Sequence, residues 1–102
     1  MFQLQPKPTF WTPISIPVPG EVTGPNIDME FVHKTKSELD LFIKSDQPLD
    51  DALPEIVKNW SGASAEFGPG SIATLLNNYP SAAQAIFKGY LDALLRGREK
   101  NS

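Results

Sequence analysis

The chain has no cysteine, and it has one histidine, His33. Without cysteine there is no disulfide and no thiolate metal site, and one imidazole cannot supply a histidine-rich one. Long apolar runs are also missing. The longest are three residues, as in Leu41-Phe42-Ile43, far short of the ~20 that a membrane-spanning helix needs. Met1-Phe2-Gln3-Leu4 lacks the basic-then-apolar pattern of a secretory leader. Positive charge is scarce: nine Lys and Arg stand against twelve Asp and Glu, a net charge of -3. The basic residues are scattered apart from Arg96, Arg98 and Lys100, which argues against a nucleic-acid surface. These gaps leave a soluble, cytosolic chain that contacts neither membrane nor nucleic acid as the expectation.

What is present is ordinary for a globular fold. The 102 residues are 40% hydrophobic and 21% charged, enough for one domain with one core. Proline is unevenly spread, with six of the ten in the first 25 residues. The chain therefore divides into a proline-rich β segment over 1–34, a helical part over 35–97 and a frayed tail over 98–102.

Thr9 to Pro19 mixes aromatic and β-branched residues with Pro13, Pro17 and Pro19. Such residues favour extended backbone, while proline donates no ladder bond, so the segment suits an edge strand or an extended arm. Gly20, Gly24, Pro25 and Asn26 mark a loop. Ile27, Met29, Phe31 and His33 then alternate with Asp28 and Glu30, the period of a half-buried strand. The two segments pair as a hairpin, which must pack on something to be stable.

Four helices follow. Thr35 and Glu38 make a capping box ahead of Leu39, Phe42 and Ile43. Asp50 or Asp51 caps a second helix, with Pro54 in its first turn and an apolar set of Leu53, Ile56, Val57 and Trp60. Gly68-Pro69-Gly70 precedes a third, with Ile72, Leu75, Leu76 and Tyr79 on one side. Pro80 opens the fourth, which runs to about Arg96. Its polar stripe of Gln84, Lys88, Asp92 and Arg96 leaves a wide apolar arc containing Phe87, Tyr90, Leu91, Leu94 and Leu95. The expected fold is α+β: a two-stranded hairpin or extended arm packed on a small bundle of about four helices.

No catalytic, cofactor or metal residue emerges. His33 has no nucleophile motif to serve and reads as a strand-end residue. Asp46, Asp50, Asp51 and Glu55 lack the spacing and the turn glycine of a calcium loop, and acids at a helix start need no metal to explain them. Gly68-Pro69-Gly70-Ser71 lacks a phosphate-loop lysine, so helix initiation explains it better than anion binding. Phe10 and Trp11 attract more interest. Adjacent strand residues face opposite sides, and two readings stay open: an aromatic anchor for a partner, or a cover for the helical core. The excess apolar arc of the fourth helix suggests self-association through Phe87, Tyr90 and Leu94.

The order of short motifs carries a resemblance. Trp60-Ser61-Gly62, Glu66-Phe67, Leu75-Leu76-Asn77-Asn78-Tyr79-Pro80-Ser81-Ala82-Ala83 and Ala85-Ile86-Phe87 with Tyr90 resemble the tail assembly chaperones of long-tailed phages. Lys7-Pro8-Thr9-Phe10, Pro13-Ile14-Ser15-Ile16-Pro17, Gly20, Phe31, His33-Lys34-Thr35 and Glu38-Leu39 are similar to the same family. The departures are the 21–26 loop and the proline-broken 48–54 region. The resemblance implies a nonenzymatic protein of the host cytoplasm, absent from the mature virion. It would bind the tape-measure protein, form homo-oligomers and reach the tail tube protein through a frameshifted longer form. A minor structural component of the tail or head–tail connector is the competing expectation.

Overall fold

In the computed structural model, residues 1–96 are described. The expected tail at 98–102 lies outside them. Three strands and four helices follow one another as β1 (Thr9–Ser15), β2 (Asn26–Val32), α1 (Lys36–Lys44), α2 (Leu49–Ile56), β3 (Val57–Ser61), α3 (Ser71–Asn78) and α4 (Ala82–Arg96). The α+β class holds. The sheet is antiparallel in the order β1-β2-β3, one strand more than a hairpin.

Alternation sets the two faces of the sheet. Ile14, Ile27, Met29 and Phe31 point inward and are buried, whereas Trp11, Ser15 and Asp28 point outward and are exposed. The β1–β2 register pairs Phe10 with Phe31, Thr12 with Met29 and Ile14 with Ile27. It continues beyond both ends, where the Ile16 N–H donates to the Pro25 carbonyl and the His33 N–H to the Pro8 carbonyl, each at 2.9 Å. Even-numbered residues of β1 therefore aim their backbone groups at β2, and odd-numbered ones aim theirs at the open edge. Pro13 and Pro17 are odd-numbered. Their missing N–H groups fall where the ladder does not need them, which is why so proline-rich a segment can still be a strand. In the connecting loop, a Cβ on Gly24 would run into the Ile16 carbonyl, so that position admits only glycine.

β3 corrects the expected second helix. α2 ends at Ile56 and the chain passes directly into a strand. Val57 pairs with Phe31 and Trp60 with Met29, while a bulge at Glu30/Phe31 absorbs the extra residue, Lys58. The bulge puts residues three apart on one face, and that spacing imitates a helix. α2 also starts earlier than expected, after Pro48 and without a side-chain cap. Pro54 consequently sits in the second turn, where its missing N–H leaves the Asp50 carbonyl without an intrahelical donor. The helix stops two residues later. β3 has its own edge protection: besides the bulge, the outward Trp60 N–H is taken by the Asn59 side-chain oxygen at 2.9 Å.

α2, α3 and α4 cover the inner face. Leu53, Ile56, Ile72, Leu76, Ile86 and Tyr90 join the strand residues in one core. α4 lies so close to β1 that a Cβ on Gly89 would overlap the Ile14 side chain. α1 is attached differently. Its capping box is complete, with Thr35 N–H donating to Glu38 Oε1 at 2.8 Å and Glu38 N–H to Thr35 Oγ1 at 3.2 Å. Only Leu39 of this helix is buried, and Leu41 and Ile43 are exposed. Among the described residues no helix lies against the outer face of the sheet, where Glu30 of the central strand stands opposite Trp11 and Asp28 opposite Pro13.

Candidate protein-binding surface

Phe10 and Trp11 share a strand but have opposite surroundings. Phe10 points inward and stacks nearly parallel on Tyr90, 6.0 Å between ring centroids, and leans on Phe31 at 5.9 Å. Tyr90 and Phe31 are themselves 5.0 Å apart. Tyr90 is completely buried, and its hydroxyl donates to the Val32 carbonyl at 2.9 Å. Burial, helped by the negative charge of Glu38, pushes this phenol up to about 12. Tyr90 thus offers nothing to a partner: it is the floor on which Phe10 rests. Trp11 faces the other way and is 50% exposed. Beside it, Thr9 Oγ1 donates to Glu30 Oε2 at 2.7 Å.

Two clefts lie near α4. The first, about 400 Å³, runs along the open edge of β1 and is lined by Pro6, Lys7, Trp11, His33 and Leu94 among others. The second, about 290 Å³, lies between α1, α2 and α4 and is lined by Phe42, Ile43, Leu49, Phe87 and Leu91 with Asp46. Phe87 meets Phe42 there at 6.4 Å, and the Lys34 ammonium sits 4.8 Å from the Phe42 ring. The structure therefore gathers Phe10, Trp11 and Leu94 at one cleft and places Phe87 at the other, with Tyr90 buried between. Much of the apolar arc of α4 is spent internally, because Phe87, Leu91 and Leu94 pack against the core. Leu95 alone of that set is largely exposed, at 65%.

Sequence reasoning missed Leu41, at 71% exposure, as a surface residue, and it counted Ile43, at 52%, on the packed face of α1. No periodicity reveals how lightly a helix is anchored. For Phe10 against Trp11 a signal did exist: Ile14 and Ile16 have the parity of Phe10, and both are buried.

The positions weighed for chemistry have structural employment. His33 is half-buried at the end of β2, its N–H in the ladder. In the Gly68–Ser71 turn, Ser71 N–H donates to the Gly68 carbonyl at 3.1 Å and Gly68 N–H to Ser71 Oγ at 2.8 Å. Two amides an anion would need are thus already used. Among the described residues no group of three His, Asp or Glu could hold a metal ion, and no helix is long and apolar enough to cross a membrane.

The half-exposed Trp11 and the two clefts beside α4 are the surface features that this leaves for comparison with known families. The family model for phage tail assembly chaperones matches residues 1–101. The chain belongs to that family. No curated protein and no solved structure matches it. The match spans all three strands, all four helices and the residues that line both clefts.

Proposed function

We propose that this chaperone works without catalysis in the host cytoplasm, holds the tape-measure protein soluble while the tail is built, and is left out of the finished virion. The observation that carries the binding surface is Trp11. A half-exposed tryptophan on a rigid strand, backed by the Phe10–Tyr90–Phe31 stack, has the features of an interface anchor. Its outer face carries Asp28 and Glu30, which add polar partners around an apolar centre. Leu94 borders the same cleft from α4. Contact with the tail tube protein, through a frameshifted longer form, belongs to the same reading.

Coexpression with the tape-measure protein tests it. Truncating an anchor of this kind costs about 2 kcal/mol or more, at least about tenfold in affinity. Trp11→Ala should therefore lower the soluble fraction of the tape measure while the chaperone keeps its helical signal. A tape measure that stays fully soluble with Trp11→Ala would move the interface to the cleft between α1 and α4.

A further inference from the structure

We infer that the cleft between α1, α2 and α4 is a docking groove for a basic amphipathic helix, one that carries lysine or arginine beside its apolar stripe. The inference rests on the chaperone reading only for the source of that helix, a protein client. The cleft measures about 290 Å³ and has an apolar lining of Phe42, Ile43, Leu49, Phe87 and Leu91, together with Asp46. Ile43 is 52% exposed, and the other four apolar residues are half-buried. On α4 the lining residues Phe87 and Leu91 are four apart. One further step of four reaches the exposed Leu95, so the apolar row runs on past the cleft. The opposite wall, α1, is held by the buried Leu39 and the half-buried Phe42.

The chemistry of the occupant follows from what lines the groove. Its residues belong to α1, α2, α4 and the connection at 45–48, and none belongs to a strand. An extended segment laid there would find no ladder partners and would bury its own amides and carbonyls unpaired. A helix arrives with those groups already satisfied and fills the space with side chains alone. Charge then selects the kind of helix. Over 36–56, Glu38, Asp40, Asp46, Asp50, Asp51 and Glu55 stand against Lys36 and Lys44, a net charge of -4 where the whole chain has -3. Among the described residues the one ion pair is Lys88 with Asp92, so Asp40, Asp46, Asp50 and Asp51 are exposed without a counter-ion. The nearby Lys34 sits over the Phe42 ring at 4.8 Å. An apolar floor with an acidic wall is complementary to an apolar stripe flanked by cations. A second copy of this chain is a poor source of such a helix: α1 is neutral overall, α2 is acidic, α3 is uncharged and α4 has a single excess positive charge.

Two synthetic helical peptides of about 18 residues, about five turns, test the inference. They share one leucine stripe and differ in its flanks, lysine in one and glutamate in the other. Fluorescence anisotropy with the full chain should show the lysine peptide binding at least about tenfold more tightly. That advantage should shrink as salt rises from about 0.05 to 0.5 M. Asp46→Asn with Asp50→Asn should narrow the difference between the peptides; Asp46 has a left-handed backbone, φ +53°, which asparagine also tolerates. Ile43→Ser with Leu95→Ser changes exposed positions and no charge, and should weaken the lysine peptide at least about tenfold at an unchanged melting temperature. Equal affinity for the two peptides overturns the inference, as does no binding. Binding indifferent to the serine pair also overturns it, since that is charge attraction without a groove. Self-association abolished by the serine pair, with no peptide bound, would give the groove to a second copy and overturn it too. Trp11→Ala should bind the lysine peptide like wild type, so failure here and failure of the Trp11 reading are distinguishable.

Discussion

The Tyr90 hydroxyl donates to the Val32 carbonyl at 2.9 Å, tying the middle of α4 to the last residue of β2. Tyr90→Phe leaves that carbonyl without its donor and should destabilise the fold by about 1 kcal/mol. The fold keeps this phenol protonated, with its value raised to about 12. The contribution is therefore fully present below the unfolded value near 10 and is lost as pH climbs from there toward 12. Thermal melts of wild type and Tyr90→Phe should converge across that alkaline window. Parallel pH profiles would mean that the buried hydroxyl is not what titrates.

Gly89 is where α4 touches β1, and a methyl group there overlaps the Ile14 side chain. Gly89→Ala should lower stability by about 1–3 kcal/mol despite the better helix propensity of alanine. Gly89→Ala combined with Ile14→Val should recover part of the loss. Chemical denaturation of the four chains gives the coupling directly.

Helix α1 is lightly held, with Leu39 its one buried residue and the half-buried Phe42 its contact with the core, so its cap carries more of its stability. Thr35→Ala removes one half of the capping box and should cost about 1 kcal/mol. The expected sign is local: amide exchange rises across 36–44 and stays unchanged in α4. The Glu38 carboxyl is held below its ordinary value by its hydrogen bonds from Thr35. Its support for α1 is present at neutral pH and disappears as pH falls through that lowered value.

Leu94 and Leu95 are adjacent but differ in role, half-buried against the core in one case and 65% exposed in the other. Leu94→Asp should destabilise the fold, so its effect on association cannot be separated from unfolding. Leu95→Asp should melt within about 0.5 kcal/mol of wild type. If α4 joins an interface, light scattering of Leu95→Asp will show the loss of association; unchanged association assigns self-contact to another surface.

His33→Gln should leave tail assembly intact in a phage lacking the gene, because His33 contributes a ladder N–H that glutamine also has. Loss of assembly at an unchanged melting temperature would give the imidazole a role beyond structure.

Local signals made much of this legible in advance. Thr35 and Glu38 announced α1 through a cap completed within four residues, and the alternation from Ile27 to Phe31 announced β2. Ile72, Leu75 and Leu76 announced α3, and all three are buried. β3 was not legible, because a bulge gave Val57 and Trp60 the spacing of a helix. Which side of β1 faced the core was signalled by the parity that Phe10 shares with Ile14 and Ile16, although the helices that cover that side come much later in the chain. Tyr90 looked like surplus surface for a related reason: an apolar arc on α4 does not disclose how much of it β1 and β2 will use.

The closed edge of β3 has a consequence for how the protein behaves when it is abundant. A sheet open on both sides can add strands without end and become a fibre. With Asn59 occupying the outward Trp60 N–H, one side of this sheet offers no template. Strand addition is confined to the β1 side, so many copies of the chain can be crowded together without building a sheet that grows from both margins.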